Sequence, residues 1–159
     1  MDGPLKNLLV VDLTRVLVGP YCTMILSDLG ARVIKIEVPE TGDDSRKFGP
    51  FVKDYSAYFM SLNRGKESIA LNLKNEEDKK IFDKILSKAD ILVENFKPGT
   101  LEKWGFGWKD VSKKYPKLIY ASASGFGQTG PLKELPAYDM VVQGMGGLMS
   151  VTGHPNSEP

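Results

Sequence analysis

The feature that most constrains the fold is a strand–helix–strand pattern over residues 8–37. The apolar run Leu8–Val11 precedes a helical pattern that ends at Leu29, and a second, β-branched run spans Val33–Ile36. This order predicts a β-α-β unit with parallel strands. Because ligands of open α/β sheets bind outside the carboxyl ends of the strands, we expect the chemistry of the chain near residues 14–17.

Strand and helix patterns continue to alternate along the chain, which predicts an α/β fold with an open, mostly parallel sheet. Further strands are predicted at Ile69–Leu73, Ile91–Val93 and Leu118–Ala121. Further helices are predicted to follow the capping residue Asn75 and to span Leu101–Trp104, Trp108–Lys114 and Tyr138–Ser150. Residues 38–56 are rich in Gly, Pro, Asp and Lys, and this composition predicts a long loop.

The charge balance and the cysteine count exclude several classes of function. The 159 residues include 21 basic and 20 acidic side chains, so no charge bias indicates a nucleic-acid or membrane partner. The single cysteine, Cys22, rules out an intramolecular disulfide and is predicted to be buried in the first helix. Because His154 is the single histidine, we expect no metal site. We also find no signal-peptide pattern and no apolar stretch near the ~18 residues that span a membrane, and therefore expect a cytoplasmic protein.

Several motifs have a simple structural interpretation beside a functional one. Residues 125–130 match G-x-G-x-x-G, but Pro131 follows where a dinucleotide site needs a helix, so a flexible loop is predicted. Asp12 is interpreted as a turn or capping residue, and Asp139 as either a helix N-terminal carboxylate or a functional group. Asn95 follows an apolar strand, where an amide and its aromatic neighbour can hold a planar heterocycle; the alternative is a turn beside a core phenylalanine.

Taken together, an ordered set of segments closely resembles the N-terminal part of family III CoA-transferases. This is the formyl-CoA and carnitine CoA-transferase group, which includes the α-methylacyl-CoA racemases. The segments are VDLTRVLVGP (11–20), DLGARVIKIE (28–37), GDDSR (42–46), LNRGKESIALNL (62–73), ADILVENFKPG (89–99), SGFGQTGP (124–131) and AYDMVVQGMGGLMSVTG (137–153). No single segment is specific for the family, but the ordered set, which covers nearly all of residues 1–159, is specific.

The resemblance implies a Rossmann-like large domain, of which residues 1–159 form the N-terminal, CoA-binding part, and an interlocked homodimer. It also implies that a CoA thioester and a carboxylic acid are the substrates. Matched position by position, the residues implied to contact CoA fall at or just after strand ends. Val16 and Leu17 would line the thioester end, Leu71, Lys74, Asn95 and Phe96 would hold the nucleotide portion, Lys103 would contact phosphate, and Tyr138 would lie near the acyl group.

The sequence departs from the transferase pattern at three positions. Leu17, Val38 and Lys103 stand where that pattern has Gln, Arg and Arg. Lysine keeps the charge at position 103 but loses the bidentate fork of arginine. Val38 removes a phosphate contact, so the resemblance implies that another residue meets this phosphate, and Leu17 leaves the acyl specificity open.

The resemblance implies covalent catalysis by an aspartate. This carboxylate attacks the acyl-CoA thioester to give a mixed anhydride and CoA thiolate. The thiolate then attacks the aspartyl carbonyl to give an enzyme–CoA thioester, and the acceptor carboxylate reverses these steps. The aspartate is expected shortly after Pro159, beyond this chain together with the small domain, so Asp139 is not assigned the role. We therefore expect the isolated 159-residue chain to lack turnover.

Two alternatives stay open at this point. One is an acyl-CoA racemase of the same superfamily, although Tyr138 stands where racemases carry a catalytic histidine. Tyrosine, with a pKa of about 10, is a poor proton shuttle at neutral pH. The other alternative is a non-catalytic fragment that binds CoA or a partner chain, since residues 152–159 are loop-like and predict that the chain is cut.

Overall fold

The computed structural model describes residues 3–154, which form two compact units. The first unit ends at Ala123 and the second begins at Ser124. The strands of the described residues are β1 (Leu9–Asp12), β2 (Arg32–Glu37), β3 (Phe51–Val52), β4 (Tyr55–Ser56), β5 (Glu67–Ala70), β6 (Ile91–Glu94) and β7 (Ile119–Ser122). The helices of the same residues are α1 (Val18–Asp28), α2 (Ala57–Asn63), α3 (Glu76–Leu86), α4 (Thr100–Trp104), α5 (Trp108–Lys114) and α6 (Asp139–Met145).

The first unit is built on a five-stranded sheet in the order β5-β2-β1-β6-β7. Every neighbouring pair in this sheet is parallel. The chain winds outward from β1 to one edge and then returns to the other side, so the strand order reverses between β1 and β6. The predicted α/β fold is confirmed, and the reversal defines the place where such sheets bind ligands.

The helices follow from local signals in the sequence. Asn75 caps α3 as predicted, because its side chain accepts a hydrogen bond from the Glu77 N–H at 2.9 Å. Phe82 and Leu86 on this helix are both fully buried against the sheet. Gly30 ends the α1 turn with a φ of 101°, the left-handed conformation that glycine adopts without strain.

The prediction that Cys22 is buried was wrong, because the cysteine is exposed. Helix α1 instead buries a face of small and polar residues, which includes Gly19 and Thr23. A Cβ on Gly19 would lie 2.2 Å from the Thr14 side chain, so only a small residue allows the helix to approach this closely. Of the larger apolar side chains of the helix, Met24 is buried with this face, whereas Tyr21 and Ile25 are exposed.

Two further predictions needed correction within the first unit. The strand predicted at Ile69–Leu73 is β5, which lies earlier, because its register with β2 pairs Glu67 to Ala70. The segment 38–56 was predicted to be one long loop. It contains a 3-10 helix, Asp44–Lys47, and the β3–β4 hairpin, and it leads directly into the unpredicted helix α2.

The second unit contains loops, α6 and a 3-10 helix at Met149–Val151. The helix predicted over Tyr138–Ser150 is thus broken at Gly146 and Gly147. Asp139 begins α6, in the N-terminal position that its structural interpretation predicted. The predicted glycine loop at 125–130 is confirmed, and no helix opens after it before Asp139. Among residues 3–154, no helix has the length and apolar character needed to cross a membrane.

Candidate functional site

A cleft of about 530 Å³ lies at the carboxyl ends of the strands in the first unit. Its walls come from segments that follow β1, β2, β5 and β6, on both sides of the point where the strand order reverses. The lining comprises residues 13–15, 35–39, 42–43, 71–74, 96–97, Thr100 and Trp104. The position matches the ligand crevice that the sequence analysis expected.

The cleft combines an aromatic surface with positive charge. The Arg15 guanidinium lies 5.5 Å from the centroid of the Phe96 ring, and Phe96 packs edge-on against Trp104 at 5.3 Å between centroids. Lys74 and Lys97 also line the cleft. An aromatic face that can stack on a heterocycle, with cations around it, suits a ligand that joins a flat base to phosphate groups.

The loop between β1 and α1 is held by the side chain of Asn95. The Arg15 N–H donates to Asn95 Oδ1 at 2.8 Å, and Asn95 Nδ2 donates back to the Arg15 carbonyl at 2.8 Å. Asn95 thus joins two strand ends that are 80 residues apart in the chain. Its amide is directed to the backbone of this loop, and Asn95 is not among the lining residues of the cleft.

Beneath this loop lies a buried ion pair between Asp12 and Lys66. Lys66 Nζ is 3.0 Å from Asp12 Oδ2, and the two side chains are 1% and 0% exposed. Burial lowers the pKa of Lys66 although the Asp12 charge opposes that shift. Asp12 also accepts hydrogen bonds from the Thr14 N–H and the Thr23 hydroxyl. Its predicted turn role is confirmed, and it also anchors α1 through Thr23.

Glu37, at the end of β2, is a buried carboxylate in the cleft wall. Arg46 forms a bidentate pair with it, with N–O distances of 2.7 and 2.8 Å. The Ser68 hydroxyl and the Asp43 N–H donate to it as well. Burial acts to raise the pKa of Glu37, but these donors outweigh it and hold the pKa at about 2. Glu37 is therefore a charged anchor and not a proton donor at neutral pH.

Glu94, at the end of β6, is buried in a different environment. Burial raises its pKa above the usual range, although hydrogen bonds from Ser122 and from the Phe96 N–H oppose the shift. The Phe96 N–H donates to Glu94 Oε2 at 2.8 Å. This contact fixes the backbone of the residue whose ring forms the aromatic surface of the cleft.

The structure brings together three of the residues that the resemblance assigned to CoA. Leu71, Lys74 and Phe96 line the cleft. Val16, Leu17 and Lys103 lie outside its lining, although Val16 adjoins Arg15 and Lys103 adjoins Trp104. Leu17 is 47% exposed. Tyr138 belongs to the second unit, where it precedes α6 and is 75% exposed, so its predicted place near an acyl group stays a prediction.

Sequence reasoning missed several residues of the cleft. Arg15 lies within residues 14–17, where the chemistry was expected, but it was not assigned a contact. Glu37 ends a predicted strand, and that position was a signal that could have identified it. Asp43 carries no such signal, because it reaches the site from within the segment predicted as a loop. The nucleophilic aspartate expected after Pro159 lies outside the described residues. Within residues 3–154, no cluster of three or more His, Cys, Asp or Glu side chains could hold a metal ion.

Comparison with known proteins identifies what the chain is similar to. The family model described as CoA-transferase family III matches residues 5–159. Acetyl-CoA:oxalate CoA-transferase of Acetobacter aceti is 58% identical over 99% of this chain and 40% of its own length. Human succinyl-CoA:glutarate CoA-transferase is 46% identical over 98% of this chain and 36% of its own length.

A solved structure extends this similarity to the fold. The crystal structure of a CAIB/BAIF family protein from Brucella suis matches with a TM-score of 0.93 and 45% sequence identity. The match covers 100% of this chain and 43% of the Brucella chain. The chain thus spans well under half of the length of the relatives that it matches.

Proposed function

This chain belongs to CoA-transferase family III, and on that basis we propose that it forms the CoA-binding part of an enzyme that moves CoA between a CoA thioester and a carboxylic acid. One observation carries the proposal within the chain itself. The cleft at the strand-order reversal presents Phe96 together with Arg15, Lys74 and Lys97, which suits an adenine nucleotide. Coenzyme A is the substrate that supplies such a group.

We infer the following arrangement of CoA. The adenine stacks on Phe96, with Leu71 and Leu73 as apolar contacts at the cleft wall. The phosphates contact the cations around the cleft. We assign to Arg15 the phosphate contact of the arginine that Val38 replaces, because Arg15 and Val38 line the same cleft. Charge-assisted hydrogen bonds of arginine and lysine to phosphate are among the strong contacts in proteins.

The proposed chemistry uses the aspartate expected after Pro159. Its carboxylate oxygen attacks the thioester carbonyl, the C–S bond breaks, and CoA leaves as a thiolate while an acyl–aspartyl anhydride forms. The thiolate attacks the aspartyl carbonyl, which releases the donor carboxylate and leaves an enzyme–CoA thioester. The acceptor carboxylate then attacks this thioester, and the reverse sequence yields the new acyl-CoA and the free aspartate.

The names of the relatives indicate which acids to test. They pair a CoA thioester with oxalate, glutarate or mesaconate, all of which are dicarboxylates. We propose that the acceptor is a short dicarboxylic acid, and that two copies of the chain associate. The first assay is CoA transfer from acetyl-CoA or succinyl-CoA to oxalate or glutarate by the product of the complete reading frame. Binding of CoA without transfer to any acid would favour the non-catalytic alternative.

The binding site is tested with lysine variants. Lys74→Ala should raise the Kd for CoA about tenfold or more, because a charged hydrogen bond to phosphate contributes about 1.5–3 kcal/mol. Lys103→Ala tests the phosphate contact that the resemblance implies for Lys103 in α4. A similar rise in the Kd would assign Lys103 to the site. Lys88→Ala, on an exposed lysine outside the cleft lining, is the control. Isothermal titration calorimetry gives each Kd, and an unchanged Kd in Lys74→Ala would contradict the assignment.

A further inference from the structure

The loop between β1 and α1 has its backbone hydrogen-bonded at successive peptide groups. The Leu13 N–H donates to the Val93 carbonyl at 2.8 Å, and the Thr14 N–H donates to Asp12 Oδ1 at 2.8 Å. Asn95 holds both peptide groups of Arg15, as described above. The backbone of residues 13–15 is therefore tied to several different parts of the first unit.

Val16, the next residue, has an unusual backbone conformation. Its φ is 70°, in the left-handed region that glycine favours. A β-branched residue in this region is a genuine outlier, because its Cβ crowds the backbone. Such strained residues persist where the surrounding structure holds them, and they cluster at ligand-binding and catalytic sites.

Asp43 is the side chain that holds Val16. Asp43 Oδ1 accepts a hydrogen bond from the Val16 N–H at 3.1 Å, and also from the N–H and the hydroxyl of Ser45. Asp43 Oδ2 lies 2.9 Å from Lys35 Nζ, in an ion pair whose geometry falls outside that of a hydrogen bond. Lys35 Nζ also donates to the Thr14 carbonyl at 2.8 Å. The pair thus contacts the loop at two points, on either side of Arg15.

The Lys35–Asp43 pair is fully removed from solvent, with side chains that are 2% and 0% exposed. Burial raises the pKa of Asp43, but the Lys35 charge and the Ser45 hydrogen bonds outweigh it and keep that pKa below its usual value. A buried ion pair contributes little net stability compared with apolar residues of similar volume, and its best-attested role is to specify one conformation. In this structure the conformation that it contacts is the strained one of Val16.

We propose that Lys35 and Asp43 are positioning residues, which hold residues 14–16 in the strained shape that keeps the Arg15 side chain at the cleft. The inference rests on the proposed function, since it takes the ligand of the cleft to be CoA. Without the pair, Val16 relaxes to a negative φ and Arg15 leaves its position over Phe96. If the loop has the shape that binds CoA for only about a tenth of the time, the apparent affinity for CoA falls about tenfold.

The test uses the product of the complete reading frame, with CoA as the probe in isothermal titration calorimetry. The variant Lys35→Met/Asp43→Ala removes both charges together, so no buried charge is left unpaired. We expect a roughly tenfold higher Kd with a retained circular dichroism spectrum. The matched control is Arg32→Met/Glu67→Ala, which removes an exposed ion pair from the same strand β2 and should leave the Kd unchanged.

Rescue by glycine separates positioning from a merely structural role. Glycine adopts a φ of 70° without strain, so adding Val16→Gly to the pair variant should return the Kd to within about threefold of Val16→Gly alone. Adding Val16→Ala should not, because alanine retains its Cβ. A folded pair variant with an unchanged Kd, or equal effects of glycine and alanine, would overturn the proposal.

A second variant keeps the proposal testable if the first variant does not fold. Lys35→Met/Asp43→Asn also removes both charges, but it keeps the shape of the Asp43 side chain and an acceptor oxygen. Its Kd is measured with the same glycine and alanine additions if the first variant does not fold. Loss of folding in both variants would make the pair structural and would also overturn the proposal. If the unaltered protein does not bind CoA, the proposed function fails instead, and the two failures are therefore distinguishable.

Discussion

Glu37 should make the stability of this protein strongly dependent on acid pH. Its carboxylate is 6% exposed and accepts hydrogen bonds from Arg46, Ser68 and the Asp43 backbone. These contacts hold its pKa at about 2, against an ordinary value of 4.5. The protonated form cannot keep the bidentate pair with Arg46, so protonation breaks the link between β2 and the 3-10 helix at Asp44–Lys47.

Proton linkage gives the size and the sign of the effect of Glu37 on the free energy of unfolding. The folded-state pKa is lower than the unfolded one, so the unfolded state binds more protons between these values and is favoured as the pH falls. The contribution is complete above the ordinary pKa and is lost as the pH falls toward 2. A shift of this size corresponds to about 3 kcal/mol in all, of which about 2 kcal/mol is lost by pH 3. Solvent screening at Arg46, which is 41% exposed, reduces these values.

Chemical denaturation at pH 6, 4.5 and 3, followed by circular dichroism, measures this effect against Glu37→Gln. Wild type should be more stable than the variant at pH 6, and the difference should shrink by at most about 2 kcal/mol at pH 3. Glu67→Gln is the control, because its pair with Arg32 is exposed and contributes at most about 1 kcal/mol. If wild type and Glu37→Gln lose stability in parallel from pH 6 to pH 3, the role assigned to Glu37 is refuted.

Two further predictions concern the loop and the core. Asn95→Ala should lower the free energy of unfolding by about 1–3 kcal/mol in urea denaturation and also weaken CoA binding, because two hydrogen bonds to the Arg15 backbone are lost. Weaker CoA binding with an unchanged free energy of unfolding would instead indicate that Asn95 contacts the nucleotide directly. Phe82→Ala should cost about 3–5 kcal/mol in the same assay, because Phe82 is fully buried and packs edge-on against Phe106 at 4.7 Å. The exposed neighbour Ile81→Ala should cost under about 1 kcal/mol, and equal losses for both would contradict the assigned packing.

The elements that sequence reasoning predicted are those with local signals. Strand β1, helix α1 and strand β2 follow from the change of hydrophobic period within residues 8–37. Helix α3 follows from the Asn75 cap and the buried stripe that contains Phe82. Where the prediction for Cys22 failed, the deciding contacts were close packing and polar contacts rather than apolar burial. The face of α1 is set by small residues that approach Thr14 and the Asp12–Lys66 pair, and hydrophobicity alone does not report this.

The cleft was predictable in its place but not in its supporting contacts. The resemblance assigned Phe96 and Lys74 to CoA, both follow predicted strands, and both line the cleft. The strand-end position of Asn95 favoured either a ligand contact or a turn. Its amide bonds to the backbone of Arg15, and the ligand contact stays a prediction. An amide at a strand end can bond either a ligand or a neighbouring loop, and the choice depends on which loop the strand order brings beside it.

The order of the strands in the sheet explains which residues meet at the loop between β1 and α1. Strands β1 and β6 are separated by two other strands of the sheet in sequence, but they are neighbours in space because the chain returns to the other side of β1. That adjacency places Asn95 beside Arg15, and the neighbouring strand β2 places Lys35 beneath the same loop. Residues 14–16 are thus held by side chains from both neighbours of β1 and, through Asp43, from the segment after β2. A strained Val16 at this position is the consequence of a loop fixed from three directions, and the glycine rescue tests whether that fixation serves the ligand.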